Sequence, residues 1–153
     1  MSTIETRLAE LHVTIQSPGA PAGSYVPAVR TGNLVFLSGQ IPKVGGQMLA
    51  SGAVPSKVSV EKAQECARAC VVNALAVLKA ELGDLDRIRR IVRVGVFVCS
   101  DPGFTDQPKV GNGASDFLVS VFGERGKHAR AAVGSVALPL GAPVEVEMIV
   151  EVE

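Results

Sequence analysis

Three continuous apolar segments constrain the fold of this chain more than any other feature. Leu34–Leu37, Val94–Val98 and Ala131–Leu138 are apolar at odd and even positions alike, whereas a strand with one face in water alternates between apolar and polar residues. The segment from Ala131 to Pro139 carries no charge and only one hydroxyl. These segments are therefore predicted to be strands that are buried on both faces.

Two long helical patterns lie between these strands. An apolar stripe recurs at helical spacing from Val60 to Leu82, and Gly83 ends it. A second helical pattern, interrupted by glycines, follows the central strand. The predicted elements, in order, are a helix at Ser2–Val13, strands at Val26–Arg30 and Leu34–Leu37, a helix at Val60–Leu82, a strand at Ile91–Cys99, a helix at Pro108–Phe122, and strands at Ala129–Leu138 and Val144–Val152.

This order of elements predicts an α+β fold, in which a sheet is layered with two main helices on one face. The chain has 153 residues, the size of a single domain, and residues 1–13 are predicted to be a helical extension of that domain. Because two helices cover only one face of the sheet, the second face needs another cover. The simplest cover is a copy of the same chain, so the pattern predicts an oligomer.

Composition and charge argue against several classes of function. The formal net charge is zero and aromatic residues make up 4% of the chain, whereas nucleic-acid-binding proteins carry a basic excess or aromatic stacking platforms. No apolar run reaches the ~18–20 residues that span a bilayer, and the first residues lack the apolar stretch of a secretory signal. Three cysteines, an odd number, suit a reducing compartment. We expect a cytoplasmic protein that binds neither nucleic acid nor membrane.

Arg130 stands at the start of the last uncharged segment, where a permanently charged side chain needs an anion as its partner. Its planar fork of donors matches the geometry of a carboxylate. Two sources of that anion remain open. A glutamate of the last strand, such as Glu147 or Glu151, would make Arg130 a structural residue, whereas the carboxylate of a ligand would make it part of a binding site.

The last predicted strand alternates, with apolar residues on one side and glutamates on the other. A strand that is half exposed to water explains most of these carboxylates, and Glu145, closest to the preceding turn, is the best candidate for a further role. If the last two strands form a hairpin, Arg130 lies opposite Glu151 and roughly 20 Å from Glu145 at ~3.3 Å per residue. A site that contains both Arg130 and Glu145 then requires another strand arrangement or a subunit interface.

The other reactive side chains show no pattern typical of a metal site or a nucleophile. His12 and His128 have no cysteine or carboxylate at ligand spacing, and the cysteines are interpreted as small apolar core residues. Gly111 and Gly113 interrupt the second helix, and glycine allows another group to approach the backbone closely. We expect neither a metal nor a cofactor.

Four segments, in order along the chain, carry a family resemblance. Tyr25-Val26 comes first, and the block Gly32–Pro42 reads GNLVFLSGQIP. The central strand contains Val96-Phe97-Val98, and the C-terminal part contains Arg130–Pro139 followed by Val144–Glu147. With these segments, about residues 17–152 resemble the RidA (YjgF/YER057c/UK114) family.

The resemblance implies a chorismate-mutase-like mixed sheet with two main helices on one face, assembled as a homotrimer with ligand pockets between subunits. It also implies a small ligand that bears a carboxylate. In deaminase members of the family, the arginine at the position of Arg130 binds the carboxylate of a 2-imino acid, and the glutamate at the position of Glu145 positions or activates water. Positions that line the pocket in the family are matched here by Tyr25, Ser38, Gly39 and Asn112.

The activity that the resemblance implies is hydrolytic deamination of 2-imino acids to 2-oxo acids and ammonia. The sequence differs from the common family pattern at Ala132, where a cysteine is frequent, and at Gly134, where a glutamate is frequent. It is also longer, through its N-terminal helix and the loop Ser100–Asp106. A protein that holds a small carboxylate in the same pocket without turnover is the alternative. An RNA-cleaving activity, attached to some family names, fits poorly with the net charge of zero.

Overall fold

A computed structural model describes residues 2–153; Met1, within the predicted N-terminal extension, lies outside the described residues. The helix predicted at Val60–Leu82 and the strand predicted at Val144–Val152 are confirmed to the residue. The elements are α1 (Thr3–Glu10), β1 (Ala28–Thr31), β2 (Leu34–Gln40), β3 (Lys43–Val44), β4 (Gln47–Met48), α2 (Val60–Leu82), β5 (Ile88–Cys99), α3 (Gln107–Phe122), β6 (Ala129–Ser135) and β7 (Val144–Val152), with 3-10 turns at Leu85–Arg87, Gly123–Gly126 and Pro139–Gly141.

The main sheet has five strands in the order β1-β2-β7-β5-β6. Only the pairing of β5 with β6 is parallel, and the other neighbours are antiparallel. The hairpin considered for the last two strands is therefore wrong, because β5 lies between β6 and β7. β6 is also shorter than predicted: its ladder ends where Ser135 pairs with Cys99, the last residue of β5.

The core lies between one face of this sheet and the two long helices. Alternate residues of β5 and β7 point into it, and Val94, Val96 and Met148 are at most 2% exposed. α2 and α3 pack closely, since a Cβ at Gly113 would overlap the backbone of Gln64. The predicted α+β class, with two main helices on one face of a mixed sheet, is confirmed.

The opposite face of the sheet, which we call the open face, has no helix over it within residues 2–153. Its apolar side chains are partly exposed: Phe36 on β2 is 43% exposed and Val133 on β6 is 46% exposed. The expectation that Ala131–Pro139 is buried on both faces is therefore wrong for the single chain, because β6 is an edge strand with uncovered residues.

The N-terminal helix α1 packs against the same layer as α2 and α3. Ile4 and Leu8 are buried, and the Ser2 side chain accepts a hydrogen bond from the Glu5 backbone amide, which caps the helix. The carboxylate of Asp86 accepts hydrogen bonds from the backbone amides of Thr3 and Ile4 at 2.8 and 2.9 Å. Within residues 2–153, no helix is both long enough and apolar enough to cross a bilayer.

Candidate functional site

The Arg130 guanidinium lies over the first turns of α3, on the helix-covered face of the sheet. Its Nη1 donates hydrogen bonds to Asn112 Oδ1 and Ser115 Oγ, each at 3.0 Å. Its Nη2 donates to the carbonyl oxygen of Pro108 at 3.3 Å. All three acceptors are neutral groups, so they orient the Arg130 guanidinium without balancing its positive charge.

A glycine in α3 makes this arrangement possible. A Cβ at Gly111 would stand 3.1 Å from Nη1 and 3.3 Å from Cζ of Arg130, which is too tight for a fixed guanidinium. The expectation that a glycine in this helix lets another group approach the backbone is therefore confirmed. The group that approaches is the side chain of Arg130.

No carboxylate of residues 2–153 lies within 4.0 Å of the Arg130 guanidinium. The two glutamates considered as partners are engaged elsewhere. Glu147 contacts Arg93 at 3.3 Å, and Glu151 accepts a hydrogen bond from the Asn33 side chain at 3.2 Å. Within the chain, the interpretation of Arg130 as one half of a structural ion pair is wrong.

Glu145 lies on the open face, at the end of β7 nearest the β2 bulge. A Cβ at Gly39 would overlap its carboxylate, so a larger residue at that position would displace the acid from where it stands. Burial raises the pKa of the Glu145 carboxyl, and the nearby charge of Glu147 raises it further. A carboxylate with a raised pKa is a stronger base, which suits a group that takes a proton from water.

Ser38 directly precedes Gly39 on β2, and Tyr25 lies in the segment before β1. The Ser38 hydroxyl donates to the carbonyl oxygen of Val26 at 2.7 Å, which ties the segment after Tyr25 to β2. Tyr25 and Gly39 both line a cavity of about 480 Å³ between the segment before β1, the β3–β4 hairpin and α2. Four of the predicted site residues, Tyr25, Ser38, Gly39 and Glu145, are thus neighbours at one end of β2 and β7.

The Arg130 and Glu145 side chains point to opposite faces of the sheet. Arg130 pairs with Val94 across β6 and β5, and Glu145 pairs with Phe97 across β7 and β5. Val94 faces the core, whereas Phe97, an odd number of residues further along, faces the opposite way. Two strand spacings of ~4.8 Å and three residues of ~3.3 Å place the two residues roughly 14 Å apart. One chain therefore supplies these residues as separate groups, the Arg130 cluster (Arg130, Asn112, Ser115 and His128) and the Glu145 cluster (Glu145, Gly39, Ser38 and Tyr25).

Two members of the Arg130 cluster, Ser115 and His128, were not predicted as site residues. Ser115 Oγ lies 2.9 Å from His128 Nε2 as well as 3.0 Å from Arg130 Nη1. The spacing of residues in the sequence indicates both. Ser115 follows Asn112 by one helical turn, and His128 precedes Arg130 by two residues, the repeat of a strand.

The cysteines take no part in either cluster as reactive groups. All three are buried and unbonded to one another. Burial raises the pKa of the Cys66 thiol to about 11 and that of Cys70 well above its ordinary range. Their interpretation as small apolar core residues agrees with these positions, since the thiolate is the reactive form.

Comparison with known proteins identifies the family of this chain. The family model described as "YjgF/chorismate mutase-like, putative endoribonuclease" matches residues 5–152. The chain belongs to the YjgF/RidA family. This YjgF/RidA chain is 46% identical over 151 residues to protein TCP17 from Trypanosoma cruzi, covering 97% of this chain and 93% of TCP17.

A second relative of this YjgF/RidA chain carries the name of an enzyme. A 2-iminobutanoate/2-iminopropanoate deaminase from Dermatophagoides farinae is 32% identical over 133 residues, covering 87% of this chain and 89% of that protein. The crystal structure of protein Atu1372 from Agrobacterium tumefaciens has a TM-score of 0.93 at 45% identity, covering 99% of this chain and 93% of that one. The chorismate-mutase-like fold that the sequence resemblance implied is thereby confirmed.

Proposed function

We propose that this chain is a hydrolase that converts reactive 2-imino acids to 2-oxo acids and ammonia, at a pocket between the subunits of a homotrimer. One observation carries the proposal most: the Arg130 guanidinium is held by neutral acceptors and meets no carboxylate of the described chain. An oriented guanidinium without a counter-ion is suited to bind the carboxylate of a ligand. The relative named as a 2-iminobutanoate/2-iminopropanoate deaminase supports the same chemistry.

The Arg130 side chain presents one free edge to such a ligand. Nη1 and Nη2 make the three hydrogen bonds to α3, while Nε makes none within residues 2–153. Nη2 carries a second hydrogen on the side of Nε, so Nε and Nη2 together form a fork of donors. A carboxylate can accept both hydrogen bonds of that fork and is thereby fixed in orientation.

Glu145 supplies the general base in this proposal. Its carboxylate takes a proton from water as the water oxygen bonds to the carbon of the protonated imine, and the imine nitrogen becomes an amine. Return of that proton converts the amine to an ammonium group. As the carbon–nitrogen bond breaks, the new hydroxyl group gives its proton to the freed Glu145 carboxylate, so that ammonia leaves and a 2-oxo acid forms. The raised pKa of Glu145 favours the uptake of the proton from water.

A pocket between subunits reconciles the proposal with the distance between the two clusters. Arg130 and Glu145 project from opposite faces of one sheet, so a small substrate cannot contact both within one chain. The partly exposed Phe36 and Val133 on the open face provide apolar area for a neighbouring copy. In such an assembly, Arg130 of one subunit meets Glu145 of the next.

The same geometry supports one alternative, a protein that binds small carboxylates without converting them. Such a protein needs the Arg130 cluster but not the base, so Glu145 distinguishes the two functions. The description of the family as endoribonucleases concerns a different substrate, and incubation with RNA at several salt concentrations tests it in the same preparation.

A coupled assay tests the proposed reaction. An amino-acid oxidase generates 2-imino acids from alanine or 2-aminobutanoate, and the formation of 2-oxo acids is followed with wild type, Arg130→Ala and Glu145→Gln. We expect wild type to accelerate the reaction over buffer and both variants to lose that acceleration. If wild type binds 2-oxobutanoate but accelerates nothing across several side chains, the carboxylate-binding alternative replaces the deaminase.

A further inference from the structure

His128 has a place in the Arg130 cluster that the proposed reaction does not use. Its Nδ1 lies 2.6 Å from the carbonyl oxygen of Gly126, and its Nε2 lies 2.9 Å from Ser115 Oγ. A carbonyl oxygen only accepts hydrogen bonds, so the proton of the neutral ring is on Nδ1. Nε2 then carries the lone pair, and the hydroxyl of Ser115 donates to it.

This direction of donation determines what Ser115 offers to Arg130. Once its only hydrogen points at His128, the serine oxygen presents lone pairs on the side of Arg130 Nη1, 3.0 Å away. A serine hydroxyl without such a partner rotates freely and can turn its hydrogen toward the guanidinium. Arg130 therefore donates a hydrogen bond to Ser115, Ser115 donates to His128, and His128 donates to the carbonyl oxygen of Gly126.

The carbonyl at the end of this chain is held firmly by the fold. Gly126 closes the 3-10 turn Gly123–Gly126 between α3 and β6, and a Cβ on it would overlap the backbone of Leu118 and Val119 in α3. The turn is thus packed directly onto the helix that also carries Ser115. The histidine is anchored at one end by this turn and at the other by the helix.

We propose that His128 is a positioning residue for the carboxylate clamp: acting through Ser115, it fixes the guanidinium plane of Arg130 so that the Nε–Nη2 edge stays open to a ligand. The inference rests on the proposed role of Arg130 as a carboxylate clamp. Orienting a flexible arginine before binding lowers the conformational entropy that a ligand must otherwise overcome. Arg130 Nη1 also donates a hydrogen bond to Asn112, so His128 and Ser115 account for only part of the orientation of the guanidinium.

The first measurement is the affinity for 2-oxobutanoate, the product of the proposed reaction, by calorimetric titration. Loss of the neutral hydrogen bond between Ser115 and His128 is expected to raise Kd about fivefold in His128→Ala. Ser115→Ala also removes an acceptor from the Arg130 guanidinium and is expected to raise Kd at least as much. His128→Gln, which restores an acceptor near the position of Nε2, is expected to recover most of the affinity. Ser120→Ala is the matched control, because Ser120 lies on the same helix and its hydroxyl donates to the Phe117 carbonyl oxygen.

The double variant His128→Ala/Ser115→Ala separates positioning from general loosening of the structure. If His128 acts through Ser115, the double variant binds no more weakly than Ser115→Ala alone. Equal Kd for His128→Ala and wild type, or Kd changes that multiply in the double variant, would overturn the proposal. Should His128→Ala fail to fold, His128→Leu, which fills the same space without an acceptor at the position of Nε2, takes its place in the comparison with Ser120→Ala.

A second measurement does not depend on ligand binding and therefore tests the positioning apart from the proposed function. The Nε–H resonance of Arg130, assigned by its absence in Arg130→Lys, is recorded by nitrogen–proton correlation NMR without ligand. We expect it to shift or broaden in His128→Ala and Ser115→Ala and to stay in place in Ser120→Ala. An unchanged Arg130 resonance in His128→Ala overturns the inference, whereas failure of wild type and Arg130→Ala alike to bind 2-oxobutanoate overturns the proposed function.

Discussion

The two faces of the five-stranded sheet differ in how completely one chain covers them. On the helix-covered face, residues such as Val96, Val146 and Val150 are at most 1% exposed. On the open face, Phe36 and Val133 remain more than two-fifths exposed, at 43% and 46%. The same strands supply both sets of residues, so a sheet of this composition is fully buried only if something else covers the open face.

The Arg130 cluster and the Glu145 cluster lie on these two different faces. The Arg130 cluster belongs to the helix-covered face and is tied to α3 by three hydrogen bonds. The Glu145 cluster belongs to the open face, where burial and a neighbouring carboxylate raise the pKa of the acid. One cluster holds a cation in place without neutralising it, and the other holds a carboxyl group with a raised pKa. In the proposed function, these two clusters are the halves of one site, carried on opposite sides of one sheet.

The largest expected effect comes from placing a charge on the open face. Phe36→Asp puts a carboxylate into the surface that we propose is covered by another copy, where an unpaired charge costs several kcal/mol. We expect the variant to be monomeric by light scattering and to lose the deaminase activity completely. Val119→Asp is the control, because Val119 is 37% exposed on α3 in the helix layer. A Phe36→Asp variant that stays trimeric would contradict the assignment of this face.

The next largest expected effect distinguishes the proposed role of Glu145, as a base, from that of Arg130, which binds the carboxylate. Glu145→Gln keeps the shape of the side chain but cannot take a proton, so kcat is expected to fall by about 10²–10⁴-fold, the range for loss of a general base. Its Kd for 2-oxobutanoate is expected to stay within about twofold of wild type. Steady-state kinetics and titration on the same preparation check both values. A parallel loss of kcat and affinity would show that Glu145 contributes to binding instead.

Arg130→Lys tests the Arg130 cluster, where the expected loss is in the affinity for the ligand. Lysine keeps the positive charge but loses the planar fork, and a charge-assisted hydrogen bond contributes ~1.5–3 kcal/mol. We therefore expect Kd for 2-oxobutanoate to rise about 10–100-fold. Titration against wild type measures the change. Affinity that is unchanged in Arg130→Lys would mean that only the charge of Arg130, and not its geometry, recognises the ligand.

The smallest expected effect concerns stability and pH. Because the folded-state pKa of Glu145 is raised, the fold loses free energy of unfolding as the pH rises from the ordinary pKa of a glutamate through the raised folded-state pKa. Glu145→Gln removes the cost, so its Tm at pH 7 is expected to exceed that of wild type by about 1–2 °C. The difference should vanish below the ordinary pKa of a glutamate, where wild type is protonated in both states. Calorimetric scans between pH 4 and pH 8 measure the trend.

The same raised pKa predicts where activity declines in acid. A general base must be ionised, and Glu145 is ionised only above its pKa, which burial has moved upward. The acid limb of the kcat/KM profile, which reports the free enzyme, is therefore expected above the range of an ordinary carboxyl group. In Glu145→Gln the residual rate should lack this limb. A wild-type limb at the pH of an unperturbed glutamate would contradict the role of Glu145 as the base.

How much of this fold the sequence predicts depends on the range of the interactions involved. Val60–Leu82 and β7 are predicted to the residue because local periodicity and a terminal glycine define them. The position of β6 beside β5 is not predicted, because pairing between distant strands leaves no local pattern. That pairing, and not the turn after Leu138, determines where Arg130 lies.

The sequence likewise predicts only some features of the candidate site. Arg130, Glu145 and the Gly32–Pro42 block are found from the sequence, because charge in an apolar segment and a family motif are visible there. The hydrogen bonds that orient Arg130 are not found, because they join α3 to β6 through side chains of Ser115 and His128. Such contacts become visible only when the two elements are placed side by side.

The most direct test of a pocket shared between subunits is activity restored by mixing two inactive variants. Arg130→Ala and Glu145→Gln are unfolded together in equal amounts and refolded, and the deaminase activity is compared with each variant refolded alone. In a trimer assembled at random, about one quarter of the pockets receive an intact Arg130 from one subunit and an intact Glu145 from the next. We expect about one quarter of wild-type activity to return. Assembled mixed trimers with no restored activity would contradict the shared pocket.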